Sequence, residues 1–225
     1  MIPRGSPRGQ SDGAEPGAGL EALQRAQRAC TRCVEAGLLA AAHPVFSGRP
    51  GQRMLLVGQA PGPVERDRTR PFAGRAGRQL MRWFTRAGFD GEEDVRRRVY
   101  MTSMTTCFPG RTPDGRGDRR PSAREVALCS GWLDQVLELL APRLVIPIGG
   151  LALARFLPGR GMEEAIGRLF DGAGREIETA GDAPALLPLP HPSGQSRWLN
   201  DPAHAVRLER ALSRLPDLIR WAESG

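Results

Sequence analysis

The chain contains no lysine; all 32 of its basic residues are arginine. No side-chain amine is available to form a Schiff base, so lysine-based covalent catalysis is excluded. Histidine is scarce, with His43, His191 and His204 the only three in 225 residues. No apolar run approaches the roughly 20 residues that span a bilayer. The first nineteen residues, MIPRGSPRGQSDGAEPGAG, carry no apolar stretch of the kind that forms the core of a secretory signal. A cytosolic protein with no membrane partner is therefore expected, in a compartment where structural disulfides are rare. Internal repeats are absent. So is a G-x4-G-K phosphate loop, which argues against a nucleotide-handling α/β protein.

What is present is a globular composition: 40% hydrophobic residues, with 28 glycines and 20 prolines that imply many loops. The length suits one domain with a sizeable core or two small ones. The formal net charge is +7. An all-arginine set of cations has a bland source in codon bias, and a functional one in a polyanion partner, because the guanidinium fork matches phosphate oxygens.

Residues 1–19 read as a disordered tail, and residues 20–225 as a single domain. Helical periodicity runs through 20–37 and again through 76–89. Short apolar runs at 53–59, 99–104, 144–149 and 184–190 read as strands. Ser122 with Glu125 three residues on is a capping-box signature opening a long helix. GLALARFL after 149 is a short helix, and Asp201-Pro202 caps a closing one. Strands alternating with helices predict a three-layer α/β/α sandwich around a four-stranded, mainly parallel sheet. Ligands in such folds sit beyond the carboxyl ends of the strands. The loops GQAPG (58–62), TTCFPG (105–110) and HPSG (191–194) should then share one rim.

Four cysteines complete the chemistry. Cys30 and Cys33 form C-x2-C, whereas Cys107 and Cys129 are far apart in sequence. Four thiolates suit zinc or an iron–sulfur cluster, and unrelated buried thiols are the alternative. Zinc sites usually use two tight pairs, so one pair plus two scattered cysteines favours the cluster.

The ordered set GQAPG, RPFAGRAG (70–77), VYMTSMTTCFPG (99–110) and HPSG, interleaved with four cysteines, resembles the uracil-DNA glycosylase superfamily. It is most similar to the iron–sulfur family 4 and family 5 branches, over roughly residues 27–222. The resemblance implies a monofunctional DNA-repair glycosylase. It would flip a deaminated base into a pocket and hydrolyse its N-glycosidic bond, acting on DNA as a monomer with a 4Fe-4S cluster on Cys30, Cys33, Cys107 and Cys129. It implies that His191 donates to the base carbonyl that gains charge, that Phe72 stacks on the base, and that backbone near Gln59 and Ala60 approaches it.

Three departures stand out. Family 4 loops read GEAPG, with an acid where this chain has Gln59; other branches place it at Ala60. Glu65 and Asp67 are the nearby carboxylates that can substitute. Ser103 falls where family 4 has an Asn that reads the uracil edge, which implies relaxed base choice: uracil in mismatches, hypoxanthine or xanthine. Residues Gly194, Gln195, Ser196, Arg197 and Trp198 follow HPS as in the NPSGLSR loop of mismatch-specific members, and by analogy form a wedge into the duplex. Arg75, Arg111, Arg119 and Arg120 are candidate phosphate contacts. A weakly active or non-enzymatic damage-binding protein on the same fold is the alternative.

Overall fold

The structure, a computed structural model, describes residues 17–182, 184–193 and 197–224. In chain order the elements are α1 (Ala18–Arg28), α2 (Arg32–Glu35), β1 (Met54–Gly58), α3 (Pro63–Arg68), α4 (Arg75–Arg86), α5 (Gly91–Arg98) and β2 (Val99–Ser103). There follow α6 (Ala123–Leu140), β3 (Leu144–Pro147), α7 (Gly149–Phe156), α8 (Met162–Ala165), β4 (Leu169–Asp171), β5 (Glu176–Ile177) and β6 (Ala185–Leu186). A 3-10 turn (Arg197–Asn200) then leads into α9 (Pro202–Glu223).

The sheet runs β2-β1-β3-β6-β4-β5. Its first four strands are parallel and match the four expected. The sheet has six strands rather than four because β4 and β5 form an antiparallel hairpin on the edge. Asp171 Oδ1 accepts from the N–H groups of Ala173 and Arg175, both at 2.9 Å, which closes the turn. The turn segment DGAG is the one local signal of this hairpin, and strands of three and two residues, the second being Glu176–Ile177, are too short for periodicity.

The central strands are buried on both faces, and their alternation sorts the helices. Met54, Leu56, Val99, Met101, Leu144 and Ile146 pack with α4, α5 and α9. Leu55, Val57, Tyr100 and Val145 pack with α1, α6 and α7. The two layers of helices and the sheet between them are the predicted sandwich. The first helix is broken where one continuous helix over 20–37 was expected. The chain turns at Ala29–Thr31 and restarts as α2, which separates Cys30 from the turn that carries Cys33. Helix α5, GEEDVRRR, went unpredicted because it has almost no apolar stripe. Acids in its first turn and arginines in its last complement the helix dipole.

Both predicted caps are formed. Asp201 Oδ1 accepts from Ala203 N–H at 2.8 Å. Ser122 Oγ accepts from Glu125 N–H at 3.3 Å, and Glu125 Oε2 accepts from Ser122 N–H at 2.7 Å. Glu125 also takes a bidentate grip from Arg119, at 2.6 and 2.7 Å. With its side chain only 2% exposed, the carboxyl is pulled down to about 2, first by Arg119 and then by Ser122. A folded value below the unfolded one contributes stability that is complete above about pH 4.5 and fades as pH falls toward 2. The difference is worth about 3 kcal/mol. Glu125→Gln should remove that contribution and flatten the acid side of the stability curve, as read from urea midpoints between pH 2 and 7.

Candidate active site

The parallel register decides which residues meet. Gly58 lies beside Ser103 at the ends of β1 and β2, Val57 beside Pro147 on β3, and a bridge pairs Ile148 with Leu189. Leu189 N–H donates to Pro147 and Gly149 N–H to Leu189, both at 2.9 Å. Four adjacent strand ends therefore deliver Ser103, Gln59, Gly149 and His191 in a row. They open into one cleft of about 1030 Å³, whose walls include Gln59, Ala60, Phe72, Ser103 and His191. All five residues singled out from sequence for catalysis or base binding are thus brought together.

His191 sits against Gly149 at the start of α7. A Cβ on Gly149 would stand 3.3 Å from His191 Cβ. The N–H of Ser193 donates to His191 Nδ1 at 3.3 Å, and Ser193 Oγ lies 2.9 Å from the same nitrogen. A backbone N–H can only donate, so Nδ1 is an acceptor and the ring proton sits on Nε2. Burial pushes the imidazole below its usual value, opposed by the charge of Glu65. The positive end of α7 works in the same direction as burial. The result is a neutral imidazole with one N–H left to offer.

Phe72 enters from the loop before α4 with φ 54, in the left-handed region. Its ring lies over the end of β1, where a Cβ on Gly58 would come within 3.0 Å of Phe72 Cζ and 3.3 Å of Ser103 Oγ. Gly77 is glycine because a Cβ there would collide with the Phe72 carbonyl oxygen at 1.7 Å. The small residues of this site are therefore a requirement of close approach.

The two candidate substitute carboxylates do different work. Glu65 accepts from Gly62 N–H at 3.1 Å and from Gly74 N–H at 2.7 Å. It clasps the loop after β1 to the start of α4, with both oxygens engaged. Asp67 pairs with Arg66 at 2.8 Å on the exposed side of α3, and Arg66 holds it below the usual carboxylate range.

Of the candidate phosphate contacts, Arg75 and Arg119 line the cleft, although Arg119 is committed to Glu125. Arg111 pairs with Asp118 at 3.4 Å, and Arg120 is exposed. Gln79 and Arg82 also line the cleft and were not singled out from sequence. Their signal was the polar face of α4, where Arg75, Gln79 and Arg82 recur at four and three residues. The wedge candidates Gly194, Gln195 and Ser196 lie outside the described residues. Arg197 begins the 3-10 turn. Trp198 stacks on His204, with ring centroids 4.2 Å apart and planes 1° from parallel. His204 Nδ1 lies 2.7 Å from the Trp198 carbonyl. That geometry makes Trp198 the anchor of this turn, and Leu199 and Asn200 beyond it reach the cleft.

A second cavity, beneath the loop after β2, is lined by all four cysteines. Cys30 lies at the α1–α2 break, Cys33 on α2, Cys107 after β2 and Cys129 on α6. Trp132 Nε1 donates to Cys30 Sγ at 3.3 Å, Thr106 Oγ1 lies 3.7 Å from Cys129 Sγ, and a His43 backbone N–H points at Cys107. Burial pushes the Cys107 thiol up to about 12 and raises Cys33 and Cys129 as well; a bound cation inverts that preference. Thr105 Oγ1 is buried in this cavity without a hydrogen-bond partner among the described residues. Four sulfurs and an unspent hydroxyl around one space fit a sulfur-ligated metal group. Among the described residues no three His, Cys, Asp or Glu side chains converge to hold a single ion.

The family model for the uracil DNA glycosylase superfamily matches residues 45–213, which contain the sheet and every wall of the cleft. The protein is accordingly a DNA glycosylase, a hydrolase of N-glycosyl bonds. It belongs to the uracil DNA glycosylase superfamily. A type-4 uracil-DNA glycosylase of Thermotoga maritima is 28% identical over 165 residues, 73% of this chain and 77% of that protein. A type-4 uracil-DNA glycosylase of Pyrobaculum aerophilum is 32% identical over 133 residues, 56% of this chain and 62% of its own length. A type-5 uracil-DNA glycosylase of the same organism is 35% identical over 112 residues, 44% and 46%. The chain thus spans less than two thirds of either Pyrobaculum protein. Among the described residues no helix is long and apolar enough to cross a membrane.

Proposed function

We propose that the protein excises uracil from DNA by hydrolysis, without a carboxylate base, and with relaxed choice among deaminated bases. The observation that carries this reading is the convergence of His191, Phe72, Gln59, Ala60 and Ser103 on one cleft, of whose acids Glu65 accepts from the N–H groups of Gly62 and Gly74 and Asp118 is paired with Arg111. As the glycosidic bond breaks, the base gains negative charge and the sugar positive charge. His191 Nε2–H is the donor for the base oxygen, and as a neutral imidazole it brings no net charge to the pocket before the bond loosens. Phe72 stacks on the extruded ring, and the backbone of Gln59 and Ala60 closes over its edge. The displaced base leaves with its electron pair, water adds to the anomeric carbon of the sugar, and the proton that water gives up neutralises the departing base anion. With no lysine, the product is an intact abasic site.

Ser103 offers a rotating hydroxyl where an amide would present a fixed donor and acceptor. Hypoxanthine and xanthine, and uracil opposite mismatched partners, then fall within the substrate range. By analogy with the mismatch-specific loop, residues 194–197 contact the duplex beside the flipped base, with Trp198 as the anchor behind them. The four cysteines hold a 4Fe-4S cluster, which would supply structural cross-linking of α1, α2, α6 and the loop after β2. The enzyme acts in the cytosol as a monomer.

Excision is tested with oligonucleotides carrying uracil, hypoxanthine, xanthine or thymine, each single-stranded and opposite all four bases. Activity on uracil and at least one purine supports the reading. Strict uracil excision, equal in single and double strands, removes the relaxed-choice part. In the same panel Ser103→Asn should raise the preference for uracil over hypoxanthine by tenfold or so, because a buried polar group left unpaired penalises the wrong base.

A further inference from the structure

We propose that Arg96, which lies outside the cleft, is a positioning residue for Phe72 and so sets the grip on the extruded base. The inference rests on the reading of Phe72 as the base-stacking ring. It starts from the backbone: Phe72 has φ 54. For a bulky side chain that value is an outlier, and such strain persists only where the surroundings over-determine it.

Three groups do so. On the C-terminal side Glu65 holds the N–H of Gly74 at 2.7 Å, and the bare Cα of Gly77 admits the Phe72 carbonyl. On the N-terminal side the work falls to Arg96. Its guanidinium reaches across from α5, where Nη2 donates to the Pro71 carbonyl at 3.0 Å. Nε donates to Glu92 Oε1 at 2.8 Å, and Nη1 lies 3.8 Å from Met101 Sδ on β2. The side chain is only 11% exposed. Glu92 also accepts from Arg70 Nη2 at 3.0 Å, so one carboxylate ties Arg96, which holds the 71 carbonyl, to Arg70 one residue before it.

In a chain whose arginines otherwise sit largely on the surface, this one is nearly enclosed, with its donors turned on protein atoms. A phosphate-binding arginine keeps its fork open to solvent, and Arg96 does not. A buried guanidinium must be matched by partners that hold it in place, and those partners here are the peptide before Phe72 and the acid that orients it. Released from that bond, the 71–72 peptide can relax out of the left-handed region and swing the ring away from Gly58 and Ser103. Lysine cannot restore the arrangement, because a point charge on a flexible stem does not reproduce a planar fork.

The test is a cycle of Arg96→Gln, Phe72→Ala and the double variant, with Arg96→Lys alongside. kcat, KM and Tm are measured for each on a uracil-containing single-stranded oligonucleotide. Stacking is made in ground and transition states alike, so its loss raises KM and spares kcat. Arg96→Gln should raise KM about tenfold with kcat within about twofold. The double variant should match Phe72→Ala in KM, because the ring through which Arg96 acts is already gone. A folded Arg96→Gln with unchanged KM overturns the proposal, and so does one that raises KM by the same factor with and without Phe72. Should Arg96→Gln fail to fold, Arg96→Lys carries the comparison: a raised KM supports the proposal and a wild-type KM overturns it. An unchanged Phe72→Ala removes the stacking reading and the inference with it. An affected Phe72→Ala beside an unaffected Arg96 variant removes the inference alone.

Discussion

Replacing His191 by alanine is expected to lower the single-turnover rate of excision by about 10²–10³-fold, the cost of one preorganised donor to a developing oxyanion. DNA binding and Tm should hardly change. Among the described residues the ring bonds only to Ser193, so little of the fold depends on it. The effect is expected to be large for this chain because the two acids on the described cleft wall, Glu65 and Asp118, already hold partners. Gln59 and Ala60 are uncharged, Glu65 is committed to two backbone N–H groups, and Asp67 faces Arg66 on the far side of α3. The same measurement separates the two functional readings. If His191→Ala excises as fast as an active wild type, His191 is not the donor; if neither protein excises above background while both bind DNA, the damage-binding reading replaces the catalytic one.

The second large effect concerns the cysteine cavity. Cys107→Ser should abolish the blue-region visible absorption expected of an iron–sulfur protein and lower Tm by roughly 10 °C or more. A structural metal group contributes its binding free energy to folding, on the order of 10 kcal/mol for structural zinc. Loss of a third of that shifts the Tm of a domain this size by roughly 10 °C. The drop is expected because the four cysteines that the proposed cluster would join come from four separate stretches: the end of α1, α2, the loop after β2, and α6. Removing one ligand unties all four. Stoichiometric zinc in a colourless protein would replace the cluster with the zinc alternative. A colourless, metal-free protein with an unchanged Tm would reduce the cysteines to buried thiols.

Much of this was legible in the chain. The alternation of short apolar runs with helical periods specified the sandwich, because a strand buried on both faces must be uniformly apolar and a covering helix must carry a stripe. The capping residues Ser122, Glu125 and Asp201 were readable for the same local reason: their hydrogen bonds close within three residues. His191 and Ser103 were found because they sit in short motifs at strand ends, and Phe72 because the motif RPFAGRAG carries it in the loop between α3 and α4.

The edge hairpin Leu169–Asp171 and Glu176–Ile177 and the polar helix Gly91–Arg98 were not legible. The strands are too short to show a period, and the helix is stabilised by charge order at its ends. Neither leaves an apolar signature.

The sequence alone determined which chemical groups this protein has: no lysine, one strand-end histidine, four thiols, and no acid at Gln59 or Ala60. Only the tertiary structure decided what those groups are free to do. A carboxylate in a sequence is a candidate base until its oxygens are found bonded to Gly62 and Gly74. An arginine is a candidate phosphate contact until its fork is found closed on Pro71 and Glu92. The physical reason is that protonation, donation and reach depend on which partners already occupy each lone pair and each N–H. Those partners lie 3 and 9 positions from Glu65 and 4 and 25 from Arg96 along the chain, brought close by the way the segment between β1 and β2 folds back on itself.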